Sequence, residues 1–295
     1  SHAGVIKKIE NIVKVNTPLV KSLDIKSISG ASIGSLIGTM VCLGYTADEI
    51  LQESLDVDFE LFKQVNVFSL IEKYGFDNGM CLHNWFINII NKKYTKEVEA
   101  TLDPSFIDIY NQTKVKLNIA ATCLTTEEIH YFNYENSPDM PVSLAIRMSC
   151  SIPLLFETIP YNDNIYIDGC ILNEIPCDMI DKENDSYLIF SIRNTQKKQN
   201  NNIKNIEEYS SILVMCLYRQ ICKLNTILNK QTDENTIICN ATKARFSDFN
   251  LDNEIKKELF EEGYNSDISN IKFFKQIKEE TKEEKNNQIL EDKDL

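Results

Sequence analysis

The 295-residue chain predicts an α/β fold with a mostly parallel central sheet in one domain. Three observations carry this. Strand-patterned and helix-patterned segments alternate along most of the chain. The run Lys114–Leu124 alternates and then turns wholly apolar, as a strand covered on both faces does. A G-x-S-x-G motif, Gly30-Ala31-Ser32-Ile33-Gly34, sits between a strand pattern and an apolar helix pattern. Neither an internal repeat nor a linker divides the chain.

Residues 3–15 place Val5, Ile6, Ile9, Ile12 and Val13 at helical spacing, and Asn16-Thr17-Pro18 ends that helix. Leu23–Ile28 reads as a strand, and Leu36–Leu43 as a buried helix running to Gly44. Thr46-Ala47-Asp48-Glu49 is a capping box opening the next helix. The aromatics of residues 57–94 read as helix core, with an acyl-chain groove as the second reading. Glu128–Phe132 is a short strand, and Met140-Pro141-Val142 starts a helix that stops before Pro153. Ile165–Asp168 is a strand ending in Asp-Gly, followed by a loop. Residues 187–192 form a buried strand, 194–205 a polar loop, 208–229 a long helix and 236–239 a strand. A helix follows Leu251, and beyond about Lys278 a charged helix or tail, 279–295, closes the chain.

Composition narrows the function. With 43% hydrophobic residues the chain supports a large core. A net charge of -13 argues against a nucleic-acid surface and gives no general attraction to anionic lipid. The nine cysteines form no C-x-x-C pair and read as buried thiols of a reducing, cytoplasmic compartment. His2, His83 and His130 join no acid or cysteine at metal-ligand spacing, so no metal and no other cofactor is expected. No run is long and apolar enough to cross a membrane, and no secretory signal is visible.

The motif places Ser32 on a sharp strand-to-helix turn. Gly30 and Gly34 are expected to remove side chains that would clash there, and the Ile33 N–H is the expected oxyanion donor. A nucleophilic serine needs a base. In an α/β-hydrolase the order is Ser, then Asp or Glu, then His. That order cannot be built here, because the last histidine, His130, precedes every acid of the second half. Asp168 is the best alternative: it ends a strand, and Gly169 lets the backbone turn beneath its carboxylate. In a parallel sheet the carboxyl ends of strands open onto one crevice, where Ser32 and Asp168 could meet.

These residues together resemble the patatin-like phospholipase family, over roughly residues 1–270. The family's elbow matches Gly30–Gly34. Its D-G-[GA] motif matches Asp168-Gly169, with Cys170 in place of the small third residue. Its intervening Ser- and Pro-containing block matches Ala145–Pro153, and Asn118–Thr122 and Leu259–Tyr264 are also similar to family segments. The resemblance implies a three-layer fold over residues 1–278, with a central sheet flanked by helices. It implies a Ser32–Asp168 dyad, with Ser32 as nucleophile and Asp168 as general base. It implies a phospholipid or other acyl-lipid substrate met at a transient membrane surface, and no nucleic acid. A non-lipid serine esterase and a catalytically weak lipid- or protein-binding module are the alternatives. The family's Gly-rich oxyanion loop has no counterpart among the nine glycines. Ser1–Val5 resembles the segment that follows that loop, so the loop is expected upstream of Ser1, with Gly4 packing against the elbow.

Overall fold

The computed structural model describes residues 1–13, 18–62, 64–94, 103–181, 186–194, 203–228, 234–244, 251–269 and 271–275. In chain order its elements are α1 (His2–Val13), α2 (Leu19–Ser22), β1 (Ser27–Ala31), α3 (Ile33–Cys42), α4 (Ala47–Asp56), α5 (Val67–Lys73), β2 (Gly75–Asp77), α6 (Met80–Lys93) and α7 (Phe106–Thr113). Next come β3 (Lys116–Cys123), β4 (Glu128–Phe132), α8 (Val142–Ser149), β5 (Leu154–Phe156), β6 (Ile159–Tyr161) and β7 (Asn164–Asp168). The last are β8 (Ile189–Asn194), α9 (Ile206–Leu228), β9 (Thr236–Ala241) and α10 (Asn253–Tyr264). The expected tail, 279–295, lies outside the described residues.

The α/β class holds, and β3 is its centre: Leu117 through Cys123 are all buried. β1 lies parallel to β3, with Gly30 opposite Ile119 and Ala31 opposite Ala120. β4 pairs antiparallel with β3, and β7 does so from Ala121 to Cys123. β6 extends the sheet beyond β7, antiparallel to it. Two further parallel pairs, β2–β5 and β8–β9, stand outside this five-stranded sheet. The antiparallel pairing of β4 with β3 and of β7 with β6 follows from short connections: only turn residues separate the strands of each pair, too few for a parallel crossover.

Leu117, Ile119, Ala121 and Cys123 face the main core, which includes Val5, Ile6 and Ile9 of α1, Leu36 and Met40 of α3, Phe86 and Ile90 of α6, and Ile146 of α8. On the other face Ala31, Ala120 and Cys170 form a small cluster covered by Tyr131 of β4 and Tyr218 of α9. Helices on both faces give the three layers. The Thr46 capping box forms as expected, with Glu49 N–H on the Thr46 hydroxyl at 3.3 Å and Thr46 N–H on Glu49 at 2.8 Å.

Several boundaries differ from expectation. The elbow strand runs from Ser27 to Ala31 rather than from Leu23. α2 and its turn occupy Leu19–Asp24, and the ladder to β3 takes in Gly30 and Ala31. Gly4 does not pack on the elbow. A Cβ there would lie 1.9 Å from the Phe260 carbonyl oxygen, and one at Gly263 would lie 1.9 Å from that of Ser1. The two glycines are where α1 and α10 cross at backbone contact. In residues 57–94, Phe62, Phe76 and Phe86 are core, whereas Phe68 is 79% exposed.

Candidate active site

β1 and β7 meet end to end on one edge of β3. β4 occupies the opposite edge from Ile119 to Cys123, so β1 (to Ala120) and β7 (from Ala121) must share the other. Their carboxyl ends therefore converge head-on, from strands of opposite direction. This geometry, rather than parallel strands side by side, brings Ser32 and Asp168 together. The Ser32 hydroxyl donates to Asp168 Oδ2 at 2.6 Å.

Ser32 has φ 50° and ψ −133°, a conformation that costs a non-glycine residue about 1–3 kcal/mol. Its surroundings hold it there. The Ser32 N–H donates to Ser149 Oγ at 2.8 Å, and that hydroxyl donates to the Ala120 carbonyl at 2.6 Å. The Ser32 carbonyl accepts from the Ser35 hydroxyl at 2.6 Å and from the Ser35 N–H at 2.8 Å. The elbow glycines differ in what they do. A Cβ at Gly30 would come within 2.5 Å of the Gly34 carbonyl oxygen, whereas one at Gly34 would meet nothing within 4 Å. The expectation that both relieve a clash is corrected: only Gly30 does, and Gly34 leaves open space over the first turn of α3.

Asp168 is 4% exposed and tied on every side. Oδ1 accepts from the Cys170 N–H at 2.8 Å, its backbone N–H donates to the Ser151 carbonyl at 2.9 Å, and its carbonyl accepts from the Thr122 hydroxyl at 2.9 Å. Burial pushes its carboxyl up to about 6, against the opposing pull of the Ser32 and Cys170 hydrogen bonds. Gly169 is required for close approach, because a Cβ there would sit 2.2 Å from the Ala120 carbonyl oxygen. The thiols of Cys150 and Cys170 flank the carboxylate. Burial, then the Asp168 charge, drives both upward, so they stay protonated.

Ile33 opens α3, with its N–H at the positive end of the helix and its side chain 47% exposed. Two of the three histidines are engaged elsewhere. His130 Nδ1 pairs with the Tyr166 hydroxyl at 3.1 Å, and His83 Nε2 with the Ser143 hydroxyl at 2.8 Å. Among the described residues no group of three His, Cys, Asp or Glu side chains could hold a metal ion.

Ser149, Ser151 and Thr122 were missed as positioning residues. The first two lie in the Ala145–Pro153 block, but a serine's bond to backbone leaves no spacing signal. Arg147 of that block is 2% exposed. It donates to Ser151 Oγ at 2.6 Å and to the Asn78 carbonyl at 3.1 Å, and lies 5.0 Å from the centre of the Phe156 ring. Burial lowers its guanidinium to about 10.

Among known proteins, the chain is 28% identical over 273 residues to an uncharacterized protein of Acanthamoeba polyphaga mimivirus, covering 89% of this chain and 86% of that one. It is 28% identical over 178 residues to a probable lipid hydrolase of Invertebrate iridescent virus 6, covering 60% of each. The crystal structure of VipD from Legionella pneumophila shares the fold with a TM-score of 0.53 at 13% identity, over 94% of this chain and 64% of VipD. Residues 1–181, more than half of the chain, match the family described as patatin-like phospholipase. The elbow, the Asp-Gly strand end and the serine block that braces them all fall inside that segment, and by it the chain belongs to the patatin-like phospholipase family.

Proposed function

We propose that the protein is a lipid acyl hydrolase of phospholipase A type, cleaving carboxylic esters of phospholipid or lysophospholipid through Ser32 and Asp168. The observation that carries this is the 2.6 Å hydrogen bond from an elbow serine to a buried carboxylate, with no histidine among the described residues hydrogen-bonded to either group. Asp168 Oδ2 takes the proton as Ser32 Oγ attacks the ester carbonyl. The oxyanion develops beside the Ile33 N–H and the start of α3. Asp168 then returns the proton to the departing alcohol. In the second half-reaction it accepts a proton from the water that attacks the acyl-enzyme, and it protonates Ser32 as the fatty acid leaves. Family membership and the iridescent-virus relative's name support a lipid as the acyl donor.

The test is hydrolysis of phospholipid and of a soluble short-chain ester by Ser32→Ala, Asp168→Asn and the double variant. Each single change is expected to remove about 10³-fold or more of kcat with circular dichroism unchanged. The double should be little worse, because the two groups act as one unit. Wild-type turnover in either single variant would sink the dyad, and turnover of the soluble ester alone would favour a non-lipid esterase.

A further inference from the structure

The surface contains a helix whose polarity is turned inside out. In α5 the buried side chain is Ser69, its hydroxyl bonded to Glu157, while Phe68 is 79% and Ile71 76% exposed. An amphipathic helix in water buries the reverse set. α9 buries Val214 and Met215 in the ordinary way but also leaves an apolar stripe in water. Ile206, Leu213 and Leu217 are 50%, 40% and 59% exposed along one stripe, about 16 Å long by helical rise. No charged residue occurs from Tyr209 to Tyr218. The two helices flank the same small sheet: the residues after β5 hold α5 through Ser69–Glu157 and through Thr158 N–H on the Lys73 carbonyl. α9 packs on β5 itself. On its inner side α9 presents Tyr218 to Ala31 and Cys170, neighbours of the two dyad residues, and half-exposed Ile33 follows the nucleophile.

We propose that α5 and the outer stripe of α9 form a docking face that inserts into the uncharged, apolar part of a phospholipid bilayer and presents its lipid to Ser32. This rests on the acyl-hydrolase reading. Two features favour a bilayer over a second copy of the chain. Through Tyr218, α9 adjoins Ala31 and Cys170 beside the dyad, a place that a protein partner would cover and a bilayer would supply with lipid. Its only charges along α5 are Glu72 and Lys73, and Lys73 is already paired with Glu157 at 3.3 Å. The chain as a whole carries -13. Attraction to anionic headgroups is therefore not the driving force; buried apolar area is.

The experiment is co-sedimentation of the full chain, as the non-hydrolysing Ser32→Ala variant, with vesicles of pure phosphatidylcholine and of phosphatidylcholine mixed with phosphatidylserine. Binding is expected on pure phosphatidylcholine, unchanged by high salt and not improved by phosphatidylserine. Phe68→Ser/Ile71→Ser should weaken it at least about tenfold, given the transfer free energy of two such side chains. The same pair in the wild-type background should leave turnover of a soluble short-chain ester unchanged. Phe68→Trp provides a second readout: its emission should shift to the blue on adding phosphatidylcholine vesicles. Binding that needs phosphatidylserine, binding indifferent to the α5 pair, or a solution dimer that the α5 pair dissociates would overturn the proposal. Vesicle binding by a wild-type chain that hydrolyses no ester would instead defeat the hydrolase reading and leave the docking face standing.

Discussion

In the proposed reaction Asp168 is the residue whose environment sets the chemistry. An exposed aspartate at pH 7 is ionised but a feeble base. Removed from water and held to about 6, this one sits closer to the pH at which a proton is usefully taken and returned. The base must be ionised to act, so kcat/KM on a soluble ester should rise with pH along a limb centred near 6 and then level off. A limb centred near 4 would show that the carboxylate is solvated and not the group described. The same shift acts on stability. Between the ordinary 3.8 and about 6 the folded protein holds a proton that the unfolded chain has released. Stability is therefore full below that window and falls as pH rises through it, by the order of 3 kcal/mol. Asp168→Asn keeps one acceptor, for the Cys170 N–H, turns an amide N–H toward the Ser32 hydroxyl oxygen, and removes the charge. It should raise Tm over wild type at pH 8 and lose that advantage at pH 4, read by thermal melts at both. That Ser32 and Asp168 could meet was legible because a motif and a strand end carry them. Ser149 was not, since its role is a hydrogen bond to the Ser32 backbone that only the folded chain creates.

At the scale of elements, the glycines separate steric need from open space. Gly4 and Gly263 let the backbones of α1 and α10 touch, and Gly4→Ala would drive a Cβ into the Phe260 carbonyl. Neither helix backbone can yield as a flexible side chain would, so a loss of about 1–3 kcal/mol or more is expected in urea titrations. Gly34→Ala is the contrasting case. It is helical, faces open space and should gain about 0.5–1 kcal/mol from helix propensity. If turnover of bulky esters falls in this more stable variant, the space over α3 is acyl-binding space; unchanged turnover would assign it to solvent. The Thr46 capping box, the central strand and the long helix α9 were readable because each is a local pattern. α2, β5 and β6 were not: four or three residues are too short for a period to show, and β5 exists only because β2, far back in the chain, pairs with it.

The molecule as a whole is a mixed five-stranded sheet with two small parallel pairs beside it, and the sequence could not reveal how those pieces are joined. Alternating strands and helices point to parallel order, yet β7 returns antiparallel and meets β1 head-on at β3. One buried cation links the centre to its neighbour. Arg147 springs from α8, which carries Ser149 to the elbow, and reaches the β2–β5 pair through the Asn78 carbonyl and the Phe156 ring. Gly79, at φ 65°, leaves room for it: a Cβ there would sit 2.1 Å from the guanidinium. Among the described residues no carboxylate lies within ion-pair distance of Arg147; hydrogen bonds and the ring make its direct contacts, and the charges of Asp77 and Glu157 attract it from farther off. Arg147→Ala would remove one of the largest fully buried side chains and strip partners from Ser151 and Asn78. A global loss of about 3–5 kcal/mol is expected from cavity and unpaired groups together. The position of the link predicts where the loss appears first. In hydrogen exchange the amides of Gly75–Asp77 and Leu154–Phe156 should quicken far more than those of Lys116–Cys123, because the satellite pair opens before the central strand does. Uniform quickening across both regions would mean that Arg147 stabilises the core at large and does not join its two parts.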